Sequence, residues 1–227
     1  MATPAQLVKV VSDSLGVPER TVIIHDRNLA KAKLRTVGGR GTGAAQMTAQ
    51  DAARLLLATA GSLAVKDSTK TIQRPGNYVT RRDTWGLSFL PIPELVALPA
   101  GHTALDALAA VISAGVSGSF HQVVKERTGV EFDASDVRPP VTVTVAIAGP
   151  TPSATFRVEV VSYDDEGVPT PEAFETKIYD HPKPKGKGNL ARSPIATDQE
   201  LKSDLHYNFH FSFRTIEAIA KLIRGED

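Results

Sequence analysis

The 227-residue chain contains no cysteine. That absence excludes disulfide staples, thiolate metal sites and a cysteine nucleophile, and it suits a reducing cytoplasm. Long apolar runs are missing as well. None approaches the ~20 residues a membrane-spanning helix requires, and the N-terminus has no apolar signal core. The expectation is a soluble, cytoplasmic protein with no membrane partner.

Acidic residues are scarce in the first third of the chain. Residues 1–82 carry 13 Lys/Arg against 5 Asp/Glu, whereas the remaining 145 residues carry 13 against 20. The formal net charge of +1 therefore hides a basic segment followed by an acidic one. Between positions 27 and 50 stand Arg27, Lys31, Lys33, Arg35 and Arg40 with no acidic residue among them. A solvated charged face usually carries both signs, so this bias points to an anionic partner.

The glycine-rich run "GGRGTG" at 38–43 lies inside that basic stretch. A P-loop would need a lysine after its last glycine and a buried strand before its first; neither is present. A dinucleotide fold would place such a run between a strand and a helix, and here it follows a basic helical pattern. No cofactor is expected. The backbone of a glycine loop approaches phosphates closely, and an arginine at its tip pairs with them or enters a groove, which suits nucleic acid better.

Helical spacing of Leu7, Val10, Val11 and Leu15 predicts a helix over 4–15, broken by "GVP" at 16–18 and resumed over 19–33. Ser12, Leu15, Gly16, Val17 and Val22 occupy the places that lock a helix-turn-helix: a small residue facing the turn, a glycine in it, apolar residues around it. Thr48 can cap a third helix, with Asp51 in its first turn and Ala52, Leu55, Leu56 and Thr59 on one side. Residues 63–100 read as a basic arm or linker. Beyond it come a helix over 102–116, paired strands in "VTVTVAIA" and "ATFRVEVVSY", exposed loops at 164–174 and 180–194, an alternating strand ending near Phe213, and a last helix in "TIEAIAKLI".

"LGVPERTVIIHDR", then the basic loop, then "MTAQDAARLLL" resembles the N-terminal winged helix-turn-helix of MerR-type regulators, over about residues 4–60. The resemblance implies a recognition helix at 19–33 and a wing at 35–46. "TAQDAARLLLA" and the late "RTIEAIAKLI" also resemble text in alphaproteobacterial phage and prophage proteins of unassigned function, which implies a mobile-element setting.

The expected fold class is α+β: a winged helix-turn-helix over 1–62, a basic arm over 63–100, and an α+β domain with a small antiparallel sheet over 101–227. The candidate DNA-contacting residues are Glu19, Arg20, Thr21, Ile24, Arg27, Asn28 and Lys31 on the second helix, Arg35, Gly39, Arg40 and Gly41 in the wing, and Arg74, Arg81 and Arg82 in the arm. The function expected is a sequence-specific regulator of transcription that binds double-stranded DNA as a homodimer near the nucleoid, with the transcription machinery as a further partner. The alternative is a viral packaging factor that marks DNA and builds a ring.

Catalysis finds little support. His206 and His210 share a strand face but stand roughly 13 Å apart, too far to chelate one metal. His25 beside Asp26 suits a local hydrogen bond, and Asp164, Asp165 and Glu166 read as a solvated turn. No enzyme and no metal site are expected.

Overall fold

The computed structural model describes residues 2–38, 45–73, 79–80, 89–131, 133, 136–149, 153–180 and 207–226. Helices at the N-terminus precede a C-terminal antiparallel sheet, so the class is α+β.

Helix α1 (Pro4–Leu15) starts in a capping box in which Thr3 and Gln6 satisfy each other's backbone N–H groups, with proline in the first turn. It buries Leu7, Val8 and Val11, each contributing about 1.5–3 kcal/mol by removal from water. Gly16 ends it at φ 65°, a left-handed conformation that costs glycine nothing. Ser12 Oγ then donates to the Val17 carbonyl at 2.7 Å, closing the turn the spacing predicts. Helix α2 (Glu19–Lys31) follows at once. Helix α3 (Ala49–Gly61) opens on a second capping box, Thr48 with Asp51, and is buried on nearly every side, as a helix inside a core must be.

Of the residues expected to form an arm, 63–73 and 89–100 belong to the fold. A 3₁₀ turn (Val65–Asp67) leads into α4 (Ser68–Gln73), which packs on α2 and α3 and buries Ile72. The short α5 (Pro93–Val96) is flanked by the buried Leu90 and Ile92 and lies on α6 (Ala104–Ser117). Helix α7 (Ser119–Thr128) is not anticipated by hydrophobic period, because it buries only Phe120 and Val124.

The sheet runs β1-β4-β3-β2-β5, antiparallel at every pairing, with β1 at Val79–Thr80, β2 at Val141–Gly149, β3 at Ser153–Tyr163, β4 at Pro169–Asp180 and β5 at Tyr207–Ser212. Alternation in β2 sends Val141, Val143, Val145 and Ile147 inward and Thr142 and Thr144 outward. The expected loop at 164–174 is corrected in part: only residues 164–168 turn, and β4 begins at Pro169. Prolines cannot donate to a ladder, which makes the run read as a loop; here the β3–β4 register slips between Val160 and Val161, where Pro171 sits opposite Val161.

Strand β4 also inverts the usual pattern. Phe174 and Ile178 face outward, 59% and 55% exposed, while Lys177 and Tyr179 are buried. Lys177 is held by Glu175 at 2.9 Å. The Tyr179 hydroxyl donates to His102 Nε2 at 2.8 Å, since His102 Nδ1–H must donate to the Pro99 carbonyl at 2.9 Å.

The last helix, α8 (Phe213–Arg224), packs on both α1 and α6, and α3 also packs on α6. One core therefore runs from Leu7 and Leu55 through Leu108 and Val145 to Ile216 and Ile219, and the N-terminal helices share it with the sheet. A boundary at residue 62 would cut through it. At the α6–α8 crossing a Cβ on Gly115 would come within 2.8 Å of the Ala220 Cβ, so only glycine permits this approach.

Candidate nucleic-acid interface

The inward residues of α2 determine its outward face. Val22, His25, Asp26 and Leu29 are buried, which leaves Arg20, Ile24, Arg27 and Lys31, at i, i+4, i+7 and i+11, as one exposed line. At 1.5 Å per residue this line is about 16 Å long, comparable with the ~12 Å width of a DNA major groove. Arg20, Arg27 and Lys31 have no ion-pair or hydrogen-bond partner among the described residues. Glu19 is also exposed, in the first turn, and Thr21 is half-buried.

The helix's second acidic residue is withdrawn from this face. Asp26 lies 2.7 Å from Arg35, and the two side chains are 11% and 12% exposed. Burial pushes the Asp26 carboxyl above the usual carboxylate range, and Arg35 opposes that shift without cancelling it.

A buried network fixes the helix from behind. Ser68 Oγ donates its single proton to the Val65 carbonyl, so it must accept from the others that reach it. Asn28 Nδ2 donates to Ser68 Oγ at 3.2 Å and to the Val65 carbonyl at 2.8 Å, and His25 Nδ1–H donates to Ser68 Oγ at 2.9 Å. His25 thus carries a proton on Nδ1, and desolvation lowers its pKa, which favours the neutral imidazole.

The unfolded chain binds a proton at His25 near the ordinary pKa of about 6.5, and the folded chain only at lower pH. Stability contributed at this site is therefore complete above that ordinary value and declines as pH falls below it. A series of thermal melts should show the wild type's advantage over His25→Gln narrowing as pH falls below about 6.5; an advantage constant with pH would place the proton elsewhere.

Both ends of the glycine-rich segment are anchored. The Thr36 N–H donates to Asp51 Oδ1 at 2.8 Å, while the Thr48 N–H and hydroxyl donate to Oδ2 at 3.1 and 2.8 Å. Burial pushes the Asp51 carboxyl up, but these hydrogen bonds outweigh it and hold the pKa below its ordinary value. At the far end, the Met47 N–H donates to the Ala2 carbonyl at 2.9 Å. Gly39, Arg40, Gly41, Arg74, Arg81 and Arg82 lie outside the described residues.

Two expected contact residues have partners within the fold. Asn28 ties α2 to the 3₁₀ turn, and Arg35 is spent on Asp26. In exchange, the packing of α4 and its 3₁₀ turn against α2 brings the exposed Lys66 and Lys70 to the same part of the molecule, Lys70 with Asp67 at 3.5 Å. Their cationic text was legible; their neighbourhood was not.

A second titratable cluster lines an open cleft of about 380 Å³ among α6, α7 and α8. Its charges largely answer one another: Lys221 with Asp133 at 2.9 Å, and Arg224 with the buried Glu217 at 3.0 Å. Among the described residues no group of three or more His, Asp or Glu side chains is placed to hold a metal, and no single helix is long and apolar enough to cross a membrane. No family model matches the chain, and neither a curated protein nor a solved structure is found to match it.

Proposed function

We propose that the protein binds double-stranded DNA, with α2 as the recognition helix of a winged helix-turn-helix and the glycine-rich segment as its wing, and that it regulates transcription in a phage or mobile-element setting. The observation that carries this reading is the line of Arg20, Arg27 and Lys31: three cations on one exposed helix face, with no ion-pair or hydrogen-bond partner among the described residues, on a helix whose buried Asp26 pairs with Arg35. Cations in such a line neutralise phosphates and release condensed counterions, and phosphate contacts position a helix while base edges specify the sequence. One such unit covers a single half-site, so specific binding calls for a homodimer on two half-sites.

Fluorescence anisotropy with a random-sequence duplex tests the electrostatic core of the proposal. Three phosphate contacts give a slope of about −2.7 in log K against log salt, a loss of roughly 40-fold between 50 and 200 mM. A protein that ignores duplex DNA at low salt, or binds it with no salt dependence, is not reading phosphates with this helix.

A further inference from the structure

Ile24 sits between Arg20 and Arg27 on the exposed line and is 42% exposed, while its neighbour Ile23 packs against the core. Water gains nothing from an aliphatic side chain there, and a phosphate gains nothing either. The flanking cations are long and reach outward; the branched, shorter Ile24 occupies the middle of the face. A helix lying in the major groove points its middle residues at the base edges, and the apolar group on those edges is the C5-methyl of thymine. A 5-methylcytosine carries the same methyl at the same ring position.

We infer that Ile24 reads the C5-methyl group of a pyrimidine in the major groove of the bound duplex. The inference rests on the DNA-binding reading and adds the chemical group recognised. Removing one buried methyl from such a contact weakens it about fourfold. The cations contribute nothing to that discrimination, because they contact the backbone whatever the base.

The test begins with the full chain and a random pool of duplexes of about two helical turns (~20 bp), from which the preferred sequence is selected. Each thymine in that sequence is then replaced by deoxyuridine, which removes only the methyl, and each cytosine by 5-methyldeoxycytidine, which adds one. The wild type should lose about fourfold at one thymine per half-site, or gain about fourfold at one cytosine. The first outcome assigns the methyl to thymine, the second to a methylated cytosine. Ile24→Ala should bind the parent duplex more weakly and show neither response. A selected duplex that binds tightly, yet gives the wild type no response to any methyl change, overturns the inference and leaves the DNA reading standing; the same response in Ile24→Ala also overturns it. No binding to any member of the pool overturns both.

Discussion

On the proposed DNA-binding reading, replacing Arg20, Arg27 and Lys31 together by alanine should lower the affinity for duplex DNA about 500-fold at 0.1 M salt. The figure follows from counterion release: each phosphate contact contributes about 0.9 to the slope of log K against log salt, so three lost contacts remove about 2.7 logarithmic units at that concentration. The slope itself should flatten by the same amount. All three side chains are exposed and have no ion-pair partner among the described residues, so the triple variant keeps the packing beneath it, where Val22 and Leu29 are buried. Matched changes at Lys125 and Arg127, exposed cations in the last turn of α7, should leave the affinity unaltered. Equal losses from both sets would mean a diffuse attraction and no recognition helix.

Phe120→Ala lowers the stability of the whole chain by about 3–5 kcal/mol, the range for removing a large buried aromatic side chain. Phe120 is 1% exposed and stacks on Phe213, with ring centroids 4.0 Å apart and planes 20° from parallel. Alanine removes that contact and leaves a cavity between α7 and the start of α8. Helix α8 also supports α1, so the loss should reach the N-terminus: hydrogen exchange at the buried α1 residues Leu7 and Val11 should quicken along with exchange in α8. Protection in α1 that survives while α8 opens would mean that the N-terminal helices hold a stable unit of their own. Denaturant unfolding of the wild type, followed by two probes, would report the same distinction as one transition or two.

Local signals were legible in the sequence where cause and effect lie within one turn or one strand. Thr48 with Asp51, Gly16 after Leu15, and the alternation of "VTVTV" each act on their own neighbours, so the helix ends, the short turn and the β2 strand could be read without a fold. The exposed line on α2 was legible for the same reason, since helical period alone separates Arg20, Ile24, Arg27 and Lys31 from Val22 and Leu29. Strand β4 was not, because Lys177 and Tyr179 face inward while Phe174 and Ile178 face out. Polarity predicts the reverse for Lys177, and distant or flanking groups answer the buried polar atoms, Glu175 for the Lys177 ammonium and His102 for the Tyr179 hydroxyl.

What the sequence by itself determined is the α+β class, the turn between α1 and α2, and a basic helix face followed by a glycine-rich segment; each depends on spacing within a few residues. Only the tertiary structure decided which polar residues of that helix are tied to other segments of the fold, as Asn28 and Asp26 are. Asn28 finds its acceptor 37 residues along the chain, and Tyr179 meets His102 across 77. It also decided that the N-terminal helices and the sheet share one core, with α1 on α8 and α3 on α6. The physical reason is common to both: a buried polar group must find a partner and an apolar face must find a cover, and chain proximity does not say which distant segment will supply them.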